Sequence, residues 1–229
     1  MALINQTING YSFTDFIGSG GFGSVYKATK DGNTYAIKVF REDYILQEYK
    51  HSGENNRIQR EIDIMKTVNH PFLVKYVDDF KGSDLSVPSY FLVMDFAEGE
   101  TLQKIIKNKG LKSEAQIVSI FKNILEGIKG LHQVRGEDES KGIIHRDLKP
   151  ENIIVNGDQV KILDYGISKV IDYTALTSTG NFLGSPLYSS PEQITDSKNI
   201  DKRSDLYTLG VIFYEILNLI EDYFCLNDF

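Results

Sequence analysis

Apolar and polar positions along this chain follow two periods in turn. Over residues 11–40 the period is two: Tyr11, Phe13, Asp15 and Ile17 fall on alternate positions, and after a run of glycines residues 24–28 and 35–40 are rich in β-branched and aromatic side chains. That pattern predicts a meander of three strands. Residues 57–68 carry Ile58, Ile62, Ile64 and Met65 at helical spacing and stop at Asn69-His70-Pro71. Strand-like runs return at 73–79 and 90–96. Beyond Gly99 the period becomes helical, with one helix over 102–107 and another capped by Ser113 that carries Ile117, Ile120, Phe121, Ile124, Ile128 and Leu131. From Leu206 to Ile220 apolar residues occupy nearly every side of a helix, the pattern of one buried all round. A small β-rich part thus precedes a helical part, joined by a short linker over 95–99. Residues 134–142 read as a charged surface loop.

Composition narrows the function classes. With 229 residues and 41% hydrophobic side chains the chain can build a core, and 25 Lys and Arg against 32 Asp and Glu leave a formal charge of −7 with no basic patch. Nucleic acid is therefore not the expected ligand. The longest apolar stretch is interrupted by Glu215 and Asn218 and is too short to span a bilayer, so no membrane association is expected, and residues 1–10 lack a charged leader and a signal core. Cys225 is the single cysteine, which rules out an intramolecular disulfide and fits a reducing compartment; cytoplasm is the expectation.

The candidate chemistry begins at Gly18-Ser19-Gly20-Gly21-Phe22-Gly23-Ser24-Val25. A G-x-G-x-x-G run also occurs in dinucleotide-binding turns, but those lead from a strand into a helix, whereas the chain here continues as a strand. A glycine-rich hairpin over phosphates fits better, because glycines let backbone N–H groups approach phosphate oxygens. Lys38 sits in the strand-like Tyr35-Ala36-Ile37-Lys38 and, if buried, needs a partner. Glu61 is the best candidate, against the plain alternative of two exposed charges on unrelated elements. The decisive segment is His145-Arg146-Asp147-Leu148-Lys149-Pro150-Glu151-Asn152, followed by Asp164-Tyr165-Gly166.

These motifs, in this order, resemble the catalytic and metal-binding loops of eukaryotic-type Ser/Thr protein kinases. The resemblance implies an α+β, two-lobed kinase-like fold over residues 11–229: a small antiparallel β-rich N-lobe with one helix (about 11–94), a hinge (95–99) and a mainly helical C-lobe (100–229). It implies ATP and Mg²⁺ as cofactors and Ser/Thr-bearing proteins as substrates. Asp147 would accept or orient the substrate hydroxyl proton. Asn152 and Asp164 would hold Mg²⁺. Lys38 would bind the α- and β-phosphates, held by Glu61, and Lys149 would offset charge near the γ-phosphate. Ile17 and the glycine-rich residues 18–24 would cover the nucleotide. Adenine would lie between Val25 and Ala36 above and Ile154 below, with hinge backbone bonds from Asp95 and Ala97 and Met94 at the gatekeeper position. Met65, Tyr76, His145 and Tyr165 match the family's stacked apolar column, anchored by Asp205.

Residues 184–192 resemble the segment that receives a substrate peptide, with Ser190 where alanine is usual. That segment argues against a small-molecule phosphotransferase, and the presence of Lys38, Asp147, Asn152 and Asp164 argues against an inactive scaffold. Leu148-Lys149-Pro150-Glu151 and Ser185 match the Ser/Thr rather than the tyrosine type. Arg146 and Lys169 could receive a phosphate on Tyr173, Thr174, Thr177, Ser178 or Thr179, Thr177 and Thr179 being the preferred sites. Kinases of this type continue beyond the helix that Asp205 begins. The C-lobe is therefore expected to lack its last helices, Glu192 to lack its usual arginine partner, and the exposed helix to favour self-association or a partner, with an inactive or weakly active kinase-like scaffold as the alternative.

Overall fold

The computed structural model describes residues 3–20, 23–40, 57–84, 87–111, 113–134, 142–165, 187–195 and 200–224, with side chains left out at 20, 57–61, 83–84, 87–88 and 219–224. The chain divides into two compact units, Met1–Asn69 with Val74–Ala97, and His70–Leu73 with Glu98–Phe229. An antiparallel sheet in the first and helices in the second make the fold α+β, as the sequence pattern implies. No helix among the described residues is long and apolar enough to cross a membrane.

The first unit is one six-stranded antiparallel sheet. Its strands are β1 (Thr7–Ile8), β2 (Tyr11–Gly20), β3 (Gly23–Lys30), β4 (Asn33–Phe40), β5 (Tyr76–Asp84) and β6 (Val87–Asp95), ordered β1-β2-β3-β4-β6-β5. A helix, α1 (Arg57–Thr67), joins β4 to β5 in sequence. Register decides which residues meet. Ile37 pairs with Val93 and Val39 with Phe91, and these four join Phe13, Tyr26 and Ala28 in the core on one face. On the opposite face Val25, Lys38 and Leu92 form one cross-strand row, and Lys27, Ala36 and Met94 form the next. The period of two read from residues 35–40 thus separates core from candidate site.

The folded part starts earlier than residue 11. Leu3 is fully buried in the core beside Tyr11 and Phe13, and Asn5 N–H donates to the Phe13 carbonyl while Phe13 N–H donates to the Gln6 carbonyl, both at 2.9 Å. The short segment has no periodicity long enough to read from sequence, because its partners lie across a turn.

In the second unit a small sheet is built from β7 (Glu100–Thr101), β8 (Ile153–Asn156) and β9 (Gln159–Ile162). The helices are α2 (Leu102–Lys107), α3 (Glu114–Gln133), α4 (Pro191–Thr195) and α5 (Lys202–Phe224). Thr101 caps α2 and Ser113 caps α3, each hydroxyl accepting a backbone N–H of the first turn at 3.2 Å. The buried stripe of α3 is Ile117, Ile120, Ile124, Ile128 and Leu131, and Phe121 stacks on Phe213 of α5 with centroids 4.2 Å apart.

Helix α5 starts at Lys202, ahead of the expected Asp205, and carries apolar residues that are not covered. Leu209, Ile212 and Ile216 are buried, whereas Leu206, Tyr207, Tyr214 and Leu217 are exposed along one opposite arc of the helix.

Glycine at position 23 is dictated by packing. A Cβ there would stand 2.1 Å from the Val39 carbonyl oxygen of β4, while one at Gly18 would meet nothing within 4 Å. Gly23→Ala is expected to lower unfolding free energy by about 1–3 kcal/mol, the range for overpacking. Gly18→Ala is expected to stay within about 0.5 kcal/mol, as for an open surface site. Urea unfolding of the two variants checks the contrast, and equal costs would refute it.

Candidate active site

The first unit carries the expected nucleotide-facing residues. Ile17, Gly18, Ser19 and the backbone of Gly20 belong to β2, and Gly23, Ser24 and Val25 to β3; Gly21 and Phe22 lie outside the described residues. Ala36 and Lys38 share the face of β4 that Val25 shares on β3, and Met94 is buried on β6 opposite Ala36. Lys38 is 5% exposed, with its ammonium 5.9 Å from the centroid of the Phe40 ring. Asp95 ends β6 and its N–H already donates to the Lys75 carbonyl at 3.0 Å, so a bond from Asp95 to a nucleotide falls to its carbonyl. Ala97 follows two residues later. Glu61 is on α1, but its side chain lies outside the described residues, and so does the Lys38–Glu61 pairing.

A second cluster in this unit was not foreseen. Asp79 on β5 accepts hydrogen bonds from Tyr76 and from Tyr90, the latter at 2.6 Å, and pairs with Lys66 of α1 at 2.9 Å. Burial alone would raise the Asp79 carboxyl, but the hydrogen bonds from Tyr76, Tyr90 and Lys66 outweigh it and hold it below the usual range. The Tyr76 hydroxyl is pushed up to about 12, first by burial and then by the bond to Asp79. The cluster fastens α1, the helix that bears Glu61, to the sheet.

The second unit carries the expected reacting groups. Asp147 and Lys149 form a two-armed contact, Lys149 Nζ donating to Oδ2 at 2.9 Å and to Oδ1 at 3.2 Å. Asn152, in a single 3₁₀ turn started by Pro150, donates its amide to the Asp147 carbonyl at 2.8 Å and to Oδ2 at 3.2 Å. Its backbone carbonyl accepts from Leu163 N–H at 2.8 Å, and the β8–β9 hairpin pairs Ile153 with Ile162, so Asn152 and Asp164 stand at the same end of that hairpin. Ile154 is on β8, half-buried. Arg146 and Asp164 both adopt left-handed backbone, φ 68° and 54°, a conformation that side chains disfavour and that clusters at functional sites.

His145 acts as a structural tie. It is fully buried, and its Nε2 donates to the Leu163 carbonyl at 2.9 Å, joining the loop of Asp147 to the residues that lead into Asp164. Asp205, 1% exposed, accepts the backbone N–H of His145 at 2.9 Å and of Arg146 at 3.0 Å. His132, at the end of α3, places Nε2 2.7 Å from the same carboxylate. Its signal was in the sequence: it continues the spacing of four through Ile120, Ile124 and Ile128.

The peptide-segment residues 187–192 are moored to α5. Tyr188 donates to Glu215 at 2.6 Å, Thr208 donates to the Tyr188 carbonyl at 2.7 Å, and Ser204 donates to Glu192 at 2.5 Å. The last contact corrects the expectation of an unpartnered Glu192: the Ser204 hydroxyl partners it and draws its carboxyl below the usual range. Gln193 was missed altogether; it is buried and bonds to the Arg146 carbonyl at 2.7 Å. Arg146, Asp147, Leu148, Lys149, Tyr188 and Ser189 line a small cleft. Gly166, Lys169, residues 173–179 and Ser185 lie outside the described residues.

An aspartate held by lysine and asparagine, with Tyr188 and Ser189 across a small cleft, is the arrangement expected from the kinase-like motifs. The chain belongs to the protein kinase domain family, whose profile matches residues 11–225. It is 36% identical to "Serine/threonine-protein kinase pkn2" of Myxococcus xanthus over 88% of this chain and 23% of that protein. It is 33% identical to "Serine/threonine-protein kinase PknB" of Mycobacterium leprae over 90% of this chain and 32% of that protein. It is 32% identical to "Serine/threonine-protein kinase A" of Synechocystis over 91% of this chain and 40% of that protein. The chain thus spans less than half the length of these curated relatives.

The Asp79 cluster yields a pH-dependent expectation. Asp79→Asn is expected to cost about 1–3 kcal/mol at neutral pH, the range for losing hydrogen bonds to a partly buried charge. Because the folded carboxyl is held below its usual value, its contribution is present above about pH 4 and is lost as pH falls through the folded value. The stability gap between parent and variant should therefore narrow on acidification. Urea titrations at neutral and acidic pH check this, and a constant gap would count against it.

Proposed function

We propose that the chain transfers the γ-phosphate of ATP to Ser or Thr hydroxyls of protein substrates. The observation that carries this reading is the Asp147 carboxylate, held by Lys149 and Asn152 in a cleft whose other wall is Tyr188 and Ser189. Asp147 orients the incoming hydroxyl and takes its proton, and the Lys149 ammonium offsets negative charge as the phosphoryl group moves. The face that carries Val25, Ala36 and Met94 offers the nucleotide an apolar surface, and Lys38 on the same face adds a cation. The space beside Gly18, where a Cβ would meet nothing within 4 Å, has room for a phosphate. The three relatives, all named as Ser/Thr-protein kinases, support the choice of hydroxyl.

The donor set fits Mg²⁺. Asn152 commits its amide N–H groups to Asp147, which leaves the amide oxygen, and Asp164 adds a carboxylate at the same hairpin end. Among the described residues no cluster of three or more His, Cys, Asp or Glu competes as a metal site. Two oxygen donors with phosphate oxygens and water completing the shell are what this hard cation takes, and when bound it neutralises phosphate charge. Action in the cytoplasm is part of this reading and is supported by the single cysteine. The exposed apolar arc of Leu206, Tyr207, Tyr214 and Leu217 is a contact face for a second copy or a partner protein.

Asp147→Asn is expected to lower kcat by about 10²–10⁴, the range for a positioned base. Mass spectrometry of a phosphorylated protein substrate should find phosphoserine or phosphothreonine. Phosphotyrosine as the main product, or full activity in the variant, would overturn the reading. Sedimentation should find concentration-dependent association that Tyr214→Lys weakens; a monomer at all concentrations would leave self-association without support.

A further inference from the structure

Gln193 is 2% exposed, so both ends of its amide need partners. One end has a local explanation. Ser190-Pro191-Glu192-Gln193 is a capping-box sequence, and Gln193 Oε1 accepts the Ser190 N–H at 3.0 Å, as the third helical residue of such a box does. The other end does not serve the helix. Gln193 Nε2 donates to the Arg146 carbonyl at 2.7 Å, a residue far away in sequence and next to Asp147.

The position of that carbonyl matters. Arg146 is in left-handed backbone at φ 68°, a conformation the surrounding structure has to impose. Its N–H is held by Asp205 Oδ1 at 3.0 Å and its C=O by Gln193. Two buried side chains from two elements, α5 and α4, therefore grip the two backbone groups of the residue before the reacting aspartate. The carbonyl fixes the plane of the peptide that joins Arg146 to Asp147, and with it the direction in which the Asp147 side chain departs.

We propose that Gln193 is a positioning residue: through the Arg146 carbonyl it sets the aim of the Asp147 carboxylate, and through the Ser190 N–H it ties that aim to the segment beside which a substrate peptide lies. The inference deepens the reading of Asp147 as proton acceptor and rests on it. A helix cap alone accounts for the bond to Ser190 but not for the bond to Arg146, and the two roles separate experimentally.

Gln193→Leu removes both bonds at similar size. It is expected to lower kcat about 10- to 100-fold, as for a reacting group displaced by a fraction of an ångström, with KM for ATP within about twofold. Amide hydrogen exchange over residues 146–149 should rise about tenfold or more while exchange in β2–β4 stays at the parent rate. Gln193→Glu keeps an acceptor for Ser190 N–H, but its ionised carboxylate cannot donate to the Arg146 carbonyl. Its kcat should fall as the introduced carboxyl ionises and recover toward the parent value on acidification, a limb absent from the parent profile. Unchanged exchange over 146–149 in Gln193→Leu overturns the proposal whether or not the parent chain is active, because that readout needs no turnover. A Gln193→Glu profile that follows the parent at every pH, or a kcat loss that only matches a lower folded fraction by circular dichroism, overturns it as well. Absence of phosphate transfer by the parent would instead overturn the functional reading.

Discussion

A carboxylate buried as deeply as that of Asp205 survives only with donors on both oxygens, because an unpaired charge in an apolar interior is costly. The chain meets that demand with two consecutive backbone N–H groups, His145 and Arg146, and with the imidazole of His132. Three segments distant in sequence are thereby drawn to one point. The two backbone donors can converge on one carboxylate only if the loop turns sharply, and the left-handed conformation of Arg146 is that turn. The strain at Arg146 and the charge at Asp205 compensate each other.

From that point the geometry spreads in both directions. His145 reaches the Leu163 carbonyl, which aligns the loop of Asp147 with the approach to Asp164. Helix α5, whose first turn carries Asp205, also holds residues 188–192 through Ser204, Thr208 and Glu215. The loop of Asp147, the approach to Asp164 and residues 188–192 thus share one support. Most of its members are hydroxyls, amides and carboxylates rather than apolar side chains, so directional bonds set the relative placement that dispersion alone would leave loose.

Much of the frame was legible in the sequence because local rules produced it. Ser113 capped its helix as a serine before an apolar stripe should, and the period of two over residues 35–40 put Lys38 on the face opposite Ile37 and Val39. The candidate site residues stood out through the ordered motifs around Asp147 and Asp164. What stayed hidden depends on pairings between distant residues. Leu3 enters the core without a pattern of its own. The Lys66–Asp79–Tyr90 cluster joins a helix to two strands, and nothing local marks Asp79 as their shared partner. Glu192 finds Ser204, a partner that no motif names. Gln193 looks like an ordinary cap until its second bond is seen. Even Gly23, read as an approach to phosphate, is required first by the Val39 carbonyl of its own sheet.

The N-terminal arm carries a mechanical consequence. Its hold on the sheet is a short row of bonds, Thr7 and Ile8 paired with Ser12 and Tyr11 and then Asn5 and Gln6 with Phe13, ending at the buried Leu3. A load applied along the arm meets these bonds one after another, like a zipper, whereas a load shearing β3 against β4 meets eight paired residues together. The arm therefore yields first under tension. When it does, it uncovers Tyr11 and Phe13, so a pull on this end is registered as lost packing in the aromatic core before any strand of the main sheet gives way.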